Sequence, residues 1–401
     1  MLETLLRDEW GRLLALLVAQ FRRLDLAEDG LADAFEAAAR RWPVDGEPDN
    51  GPAWLLTTAR RRIVDRMRSE EVLARKMPLL AVDAAVTQEA QRVMVDSGEV
   101  TDERLRLVLL CAHPTLSREA AAALTLRLVL GVSTEDIGRL FLQSKATMAA
   151  RLTRARKRLA GASFEVPADL AGRVGIVAEV AYLAFTAGYA PGTGPDVVRS
   201  DLAGEAIRLV RVLRSVLPEP DPEIDALLAL MLLQHSRRRA RTDEGGELVL
   251  LEDQDRAAWD HTMIDEGLEM LDDALTRRTP GPYQLQAAIA ALHARAPRPE
   301  DTDWPQIAGL YGALAELLPG PVVELNRAVA VAMADGPAAG LPLLERLDDD
   351  LGGYHLFHAA RADLLRRLDR RDEAEASYRR ALELATNPAE RSFLERRLSG
   401  D

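Results

Sequence analysis

The sequence predicts an all-α protein. Apolar residues recur at spacings of three and four along almost the whole chain, which is the pattern of helices with one buried face. Alternating runs of β-branched residues, typical of strands, are missing, and clusters of proline and glycine separate the periodic segments. At 401 residues the chain is long enough for two or three helical domains.

Composition argues against several classes of protein. Hydrophobic residues make up 48% of the chain and charged residues 29%, which excludes wholesale disorder. The sequence has no apolar run long enough to cross a membrane and no signal peptide, so we expect a cytoplasmic protein. Cys111 is the only cysteine and the six histidines are scattered, so we expect no disulfide, metal site or cofactor.

Charge is distributed unequally along the chain. Residues 1–165 carry a net charge of +1, whereas residues 166–401 carry −14. A surface that binds phosphates therefore belongs to the first part, and the acidic part should face something other than DNA.

Taken in order, the periodic segments predict a series of helices in the first part of the chain. Residues 70–101 have weak periodicity and carry six acidic against three basic residues, so they are expected to form an acidic linker. The helices predicted in this first part lie near residues 2–24, 27–41, 52–68, 102–111, 116–130, 134–141 and 145–160. A further series of helices is predicted from about residue 169 to the last residue.

The helix near 27–41 has an apolar face and an acidic face. Its apolar stripe runs along Leu31, Phe35, Ala38 and Trp42. Its acidic face could pair with a basic or helical partner, and it consists of Asp29, Asp33 and Glu36.

The helix near 52–68 combines an apolar face with a basic patch. Leu56, Ala59, Ile63 and Met67 are predicted to pack inward. Trp54 lies one turn before the patch, and an aromatic ring beside arginines suits single-stranded DNA. Burial in the core is the interpretation that we favour for Trp54. The patch consists of Arg60, Arg61, Arg62, Arg66 and Arg68.

Residues Ser133–Leu159 read as a helix-turn-helix. Ser133 and Asp136 form a capping box, and Leu142-Gln143-Ser144 makes the turn. The second helix buries Met148, Leu152, Ala155 and Leu159, and its other faces are basic. Such a helix can lie in the major groove, although a solvated basic face is the alternative interpretation. The candidate DNA contacts on it are Lys145, Thr147, Arg151, Arg154, Arg156, Lys157 and Arg158.

The C-terminal part has weak repeat character. The segment Arg361–Leu384 shows one convincing tetratricopeptide-like unit, and a compact helical domain is the alternative. The strings Asp253–Arg256 and Tyr354–His358 could each form a small binding site, and the second contains an HxxH pattern that could bind a metal ion. Helix capping and core packing are the interpretations that we favour. The positions that carry the repeat are Ala362, Leu365, Ala374, Tyr378, Ala381 and Leu384.

In this order the motifs resemble those of extracytoplasmic-function-type bacterial sigma factors. The region-two motif is matched by Ala27-Glu28-Asp29, Phe35, Trp54-Leu55, Ala59-Arg60, Asp65 and Arg68. The closing helix of region four is matched by Arg151-Leu-Thr-Arg-Ala-Arg156. The resemblance implies a region-two domain at 1–69, the linker at 70–101, a region-four domain at 102–165 and an extension at 166–401.

The extension resembles that of the sigma-factor subgroup with a tetratricopeptide-like C-terminal domain. The strings that carry this include Leu251–Arg256 with Trp259, Gly281–Ala291 and Thr302-Asp-Trp304. Three features depart from the family pattern. Arg61 replaces a common asparagine, Cys111-Ala112 replaces paired cysteines before His-Pro, and Phe185-Thr-Ala-Gly-Tyr189 replaces a string that contains asparagine and glutamate.

The resemblance implies a function in transcription initiation. Asp29, Asp33 and Glu36 would bind core RNA polymerase, the region-two patch would hold the melted −10 strand of promoter DNA, and the helix-turn-helix would read the −35 duplex. The extension would regulate activity, either by covering the basic helix or by binding a protein or peptide partner. A stabilising appendage without a regulatory role is the alternative interpretation.

Two alternatives stay open. The first is a helix-turn-helix transcription regulator fused to a helical sensor or partner-binding domain. The second is an enzyme or a tetratricopeptide scaffold. We do not expect an enzyme, because the local sequence contains no nucleophile-base pair, phosphate loop or metal set.

Overall fold

The structure is a computed structural model that describes residues 2–46, 48–74, 97–141, 143–159, 170–189, 200–243, 245 and 247–399. Within these ranges the chain is helical, and its β-type pairing is an isolated bridge between Thr242 and Leu248. The all-α prediction is confirmed for this part of the chain. None of its helices is long and apolar enough to cross a membrane.

The chain divides into two compact units. Unit 1 comprises Met1–Ala184 with Arg208–Pro218, and unit 2 comprises Phe185–Ile207 with Glu219–Asp401. The helices up to residue 216 are α1 Leu2–Phe21, α2 Leu24–Asp45, α3 Gly51–Ala74, α4 Ser97–Cys111, α5 Arg118–Leu128, α6 Thr134–Leu140, α7 Lys145–Leu159, α8 Leu170–Tyr189 and α9 Ser200–Val216.

Unit 2 continues as a series of helices joined mostly by short turns. Three single-turn 3₁₀ helices lie at Arg238–Ala240, Arg256–Ala258 and Pro299–Asp301. The α-helices are α10 Pro222–His235, α11 His261–Thr276, α12 Pro282–Arg295, α13 Trp304–Leu317, α14 Pro321–Asp335, α15 Pro337–Glu345, α16 Asp348–Leu351, α17 His355–Arg367, α18 Arg371–Leu384 and α19 Pro388–Ser399.

The helices of unit 1 lie where the sequence predicts them, but several begin or end a few residues away from the predicted position. Helix α2 runs through Pro43 to Asp45, where Gly46 donates its amide to the carbonyl of Trp42 at 3.1 Å. Helix α3 continues to Ala74 because the residues after Ser69 are good helix formers. Helix α4 begins at Ser97, so the predicted linker is helical at both described ends, and residues 75–96 lie outside the described part.

The core of unit 1 reaches beyond the predicted region-four boundary at residue 165. Val180 of α8 is buried against Ala121 and Ala122 of α5. Arg173, also on α8, donates to the carbonyl of Leu109 at 3.1 Å. The first part of the extension is therefore packed into the same body as the region-four helices.

Unit 2 contains the predicted repeat as the hairpin of α17 and α18. Ala362, Leu365, Ala374, Tyr378 and Ala381 are all buried, as the repeat pattern requires. Leu384 is partly exposed. The hairpin geometry agrees with the prediction, and its assignment as a tetratricopeptide unit stays a prediction.

Candidate nucleic-acid interface

Each of the helices α6 and α7 begins at a serine cap. The amide of Asp136 donates to Ser133 Oγ at 3.0 Å, as the capping box predicts. The amide of Thr147 donates to Ser144 Oγ at 3.1 Å and begins α7. The turn passes close to Gly138, where an added Cβ would lie 2.9 Å from the carbonyl oxygen of Gln143. Leu142 lies outside the described residues.

Helix α7 presents one apolar and one basic side. Met148, Leu152, Ala155 and Leu159 are buried, so the predicted inner face is confirmed. The candidate DNA contacts Lys145, Thr147, Arg154, Lys157 and Arg158 are exposed.

Two further basic residues of α7 are partly covered and have acidic partners. Arg151 lies 3.9 Å from a carboxylate oxygen of Glu119, and Arg156 is held by Glu28. Four basic residues and Thr147 thus form an exposed strip, with Arg151 and Arg156 at its partly buried edge. Lys145 of this strip lies 3.1 Å from a carboxylate oxygen of Glu135.

Helices α2 and α3 pack closely because Gly30 of α2 has no side chain where the two helices meet. A Cβ at Gly30 would lie 2.6 Å from Cγ1 of Ile63. Leu56, Ala59 and Ile63 are buried as predicted, whereas Met67 is partly exposed. The close approach places the acidic face of α2 beside the basic face of α3.

Candidate polymerase contacts on α2 form ion pairs with a candidate DNA contact on α3. Arg66, a candidate DNA contact, lies 3.0 Å from Asp29 and 2.8 Å from Asp33, both candidate polymerase contacts. Glu36 pairs with Arg40 at 3.4 Å and is exposed. A single guanidinium, that of Arg66, is therefore shared by two of the three acidic residues.

The remaining arginines of α3 occupy different environments. Arg61 and Arg62 are exposed, and Arg68 lies 3.7 Å from Asp65. Arg60 is only 2% exposed, so it is not part of the basic surface in this conformation.

Trp54 is half-buried and packs edge-on against Trp42, with ring centroids 5.5 Å apart. Val44, two residues after Trp42, is 83% exposed. The end of α2 thus carries the Trp42–Trp54 pair and, two positions later in the sequence, an exposed apolar residue.

A buried carboxylate connects the two predicted DNA-reading parts of unit 1. Glu28 on α2 accepts hydrogen bonds from Arg156 Nε at 2.9 Å and Nη2 at 2.8 Å. It also accepts one from Arg127 Nε on α5 at 2.7 Å. The Glu28 side chain is 8% exposed. We refer to Glu28, Arg127 and Arg156 as the Glu28 cluster.

Sequence reasoning missed Glu28 and Arg127 as site residues. The pattern contained a usable indication, because Glu28 precedes Leu31 by three and Phe35 by seven positions and so falls on the buried stripe of α2. A carboxylate on a buried stripe requires a partner. The identity of that partner depends on contacts distant in sequence.

Close backbone contacts accompany the Glu28 cluster. A Cβ at Gly11 of α1 would collide with the carbonyl oxygen of Val129, which follows α5. Gly131, at φ +71°, lies against the ring of Trp10, and the Arg127 guanidinium lies over the same ring at 5.3 Å. Helix α1 and the region-four helices are therefore in direct contact.

Unit 2 contains two neighbouring cavities. The larger, about 450 Å³, has apolar walls that include Trp304, Val329 and Met333. The smaller, about 300 Å³, lies against α17 and α19. Both are lined by Leu250 and Glu252, so a short stretch of chain separates them.

The strings Asp253–Arg256 and Tyr354–His358 of unit 2 make capping and packing contacts with nearby parts of the chain. Asp255 accepts the amide of Ala257 at 2.9 Å and caps a 3₁₀ helix. His358 is buried and bonded to the carbonyl of Gly352 at 2.9 Å, while His355 pairs with Glu390 at 3.1 Å. Within the described ranges, no three His, Cys, Asp or Glu side chains are grouped as metal ligands.

Comparison with known proteins agrees with part of this description. Residues 106–159 match the family described as sigma-70, region 4, which confirms the predicted region-four helix-turn-helix. Residues 173–275 match a family of unknown function. The chain is 46% identical over 389 residues to uncharacterized protein R00370 of Rhizobium meliloti (strain 1021), covering 95% of this chain and 91% of that protein. No solved structure matches.

Proposed function

We propose that this chain, which belongs to the same family as R00370 of Rhizobium meliloti and contains a sigma-70 region 4 domain, is a sigma factor that directs core RNA polymerase to promoters. The observation that carries the proposal is helix α7. It combines the sigma-70 region 4 match with a buried apolar face and an exposed basic strip, which is the arrangement needed for a helix in the major groove.

In this proposal α7 reads the −35 duplex. Lys145 and Thr147 lie at the N-terminal end of the helix, where side chains reach base edges in such docking. Arg154, Lys157 and Arg158 lie on later turns and would contact phosphates.

Region two would supply the second DNA contact. Arg61 and Arg62 are exposed on α3 and would hold the backbone of the melted −10 strand. The Trp42–Trp54 pair offers an aromatic surface on which an unpaired base can stack. Asp29, Asp33 and Glu36 form the proposed polymerase contact, which places the protein in the cytoplasm with the polymerase.

Unit 2 would carry regulation. Its two cavities, which share Leu250 and Glu252 as wall residues, have apolar walls and also acidic lining residues such as Glu300 and Asp363. This chemistry suits a peptide or protein segment with apolar and basic side chains. A chain ending at Pro218 keeps every residue of unit 1 and lacks Glu219–Asp401 of unit 2. Its activity in initiation would show whether that part of unit 2 activates or inhibits.

Binding to core polymerase tests the proposal against the helix-turn-helix regulator. The purified protein is mixed with core polymerase and followed by size-exclusion chromatography, and its binding to promoter duplex is measured separately. A sigma factor comigrates with the polymerase and binds duplex weakly when alone. Tight duplex binding without comigration would favour the regulator.

A further inference from the structure

The larger cavity of unit 2 is formed by separate stretches of chain that meet in the fold. Its wall is built from residues 250–256, from α12, from residues 299–304 and from α14. Its volume of about 450 Å³ lies within the range of about 300–1,000 Å³ that is typical of small-molecule sites. The apolar residues that line it are Leu250, Leu251, Pro299, Trp304, Val329 and Met333.

Arg256 places a positive charge in this apolar wall. Its Nη1 donates to the carbonyl of His293 at 2.5 Å and to that of Ala296 at 2.6 Å. Its guanidinium also lies over the ring of Trp259, 4.8 Å from the ring centroid. These contacts fix the position of the guanidinium and leave its charge without an anion.

Within the described part of the chain, Arg256 has no acidic partner. Glu300 and Asp301 pair with Arg298 instead, at 3.4 Å and 2.9 Å. Burial lowers the pKa of Arg256, the charge of Arg237 lowers it further, and Asp301 and Glu300 oppose the shift only in part. Because a partly buried cation without a counter-ion is costly, an anion bound in the cavity would offset that cost.

Two polar groups in the same wall lack partners. The Thr302 side chain is only 7% exposed, and its hydroxyl has no hydrogen-bond partner among the described residues. The same is true of Nε of Arg256. Burial and the charges of Arg237 and Arg256 lower the pKa of His293 to about 4, so this side of the cavity is electropositive and its imidazole is neutral. A hydroxyl and a guanidinium both donate hydrogen bonds to a carboxylate.

Two carboxylates in the lining limit the charge of a ligand. Glu252 and Glu300 also line the cavity, and both residues are exposed. A ligand with two negative charges would be repelled by them, whereas a single negative charge can be balanced by Arg256. A small hydrated anion would lose its water to apolar walls and gain few contacts in return. The ligand therefore needs an apolar part as well.

We propose that the larger cavity of unit 2 binds a small organic molecule that has one carboxylate and an apolar body. The carboxylate accepts hydrogen bonds from Arg256 and Thr302. The apolar body packs against Trp304, Val329 and Met333. Such a ligand fills the cavity and supplies the anion that the wall lacks.

This inference goes beyond the proposed function and can be tested separately from it. Binding is measured without polymerase or DNA, so its failure leaves the sigma-factor proposal standing, and the reverse also holds. The smaller cavity, which has Asp363 and Glu390 in its lining, keeps the acidic character that a basic side chain of a partner requires.

Ligand-observed NMR on the full-length protein tests the site. The probes are phenylacetate, 3-phenylpropionate and hexanoate, which share a carboxylate and differ in the apolar body. Each is compared with its uncharged carboxamide, and phenyl phosphate is the doubly charged probe. Saturation-transfer titrations give the dissociation constants. We expect at least one carboxylate to bind about tenfold more tightly than its carboxamide and than phenyl phosphate.

Four variants test whether binding occurs in this cavity. Arg256→Gln removes the guanidinium charge, and Thr302→Val removes the hydroxyl with little change in size. Val329→Phe fills part of the cavity. Arg277→Gln is the matched control, because Arg277 also donates to a backbone carbonyl, that of Pro220, and does not line the cavity.

The variants are expected to differ in a defined way. Arg256→Gln weakens carboxylate binding by about tenfold or more and Thr302→Val by about threefold to tenfold, because each removes a donor to the anion. Val329→Phe weakens binding of carboxylates and carboxamides alike, and Arg277→Gln changes neither. Circular dichroism verifies that the helices persist. If Arg256→Gln loses structure, Thr302→Val decides the result, since the Thr302 hydroxyl has no partner to lose.

Several results would overturn the proposal. They are no binding of any of the carboxylates, equal affinity for each carboxylate and its carboxamide, tighter binding of phenyl phosphate, or unchanged affinity in both Thr302→Val and Val329→Phe. Binding of a basic peptide with blocked ends that Val329→Phe abolishes, without binding of the carboxylates, would assign the cavity to a protein partner instead.

Discussion

Arg156 donates two hydrogen bonds to the carboxylate of Glu28, although 128 positions separate the two residues. One residue belongs to the motif that resembles sigma region two and the other to the closing helix of region four. The pair therefore links the two halves of the predicted promoter-reading apparatus within one compact unit.

We expect Glu28→Gln to lower the free energy of unfolding by about 3 kcal/mol, because it leaves the partly buried Arg127 and Arg156 without a counter-charge. Urea denaturation measures the change. In a double-mutant cycle, Arg156→Gln should cost less in the Glu28→Gln background than in the wild type. Additive effects would show that the two side chains do not interact.

Substitution of single arginines should separate the two proposed DNA contacts. Arg154→Ala on α7 is expected to weaken binding to a −35 duplex and to reduce the slope of log affinity against log salt by about 1. Arg61→Ala on α3 is expected to leave that binding intact and to slow promoter opening.

Filter binding and permanganate footprinting in complex with core polymerase measure the two steps. Arg151→Ala is expected to weaken duplex binding as Arg154→Ala does. Arg68→Ala is expected to slow promoter opening as Arg61→Ala does. Equal loss of both steps in every variant would refute the division.

Ser133→Ala should loosen the first helix of the helix-turn-helix. The substitution removes the acceptor for the amide of Asp136 and should cost about 1 kcal/mol. Urea denaturation measures it, with Ser215→Ala as the control, because the Ser215 hydroxyl donates to a carbonyl near the end of α9 and caps no amide. Equal costs would mean that Ser133 is not a cap.

Unit 2 should lose stability in mild acid. Burial lowers the pKa of His235 and His293 to about 4, and nearby arginines add to the effect. An unfolded histidine takes up a proton near pH 6.5. The stability gained by keeping both rings neutral is therefore complete above about pH 6.5 and is lost as pH falls from about 6.5 toward 4.

Urea denaturation at several pH values between 4 and 7 measures this loss. The slope of unfolding free energy against pH gives the number of protons taken up on unfolding. The double variant His235→Gln with His293→Gln should lower that number by up to about two. His261→Gln, at an exposed histidine, is the control. An unchanged slope in the double variant would contradict the assignment.

Periodicity predicted the local structure well because it depends on neighbouring residues. The face of α7 formed by Met148, Leu152, Ala155 and Leu159 follows from spacing alone. Helix ends were less predictable, since α2 continues through Pro43 and α3 to Ala74.

The candidate site was predictable only in part, because side-chain pairing depends on the tertiary fold. The sequence assigned Arg66 to DNA and Asp29 and Asp33 to polymerase, yet packing of α2 on α3 through Gly30 pairs them with each other. Arg60 and Arg61 are adjacent in sequence, and only the fold determines that the first is buried and the second exposed.

Transcription in vitro tests the central proposal most directly. Purified full-length protein is mixed with core polymerase and a library of genomic promoter fragments, and the 5′ ends of the transcripts are sequenced. We predict initiation at a defined subset of promoters that requires both components and is reduced by Arg154→Ala. Transcripts identical to those of core polymerase alone would contradict the assignment of this protein as a sigma factor.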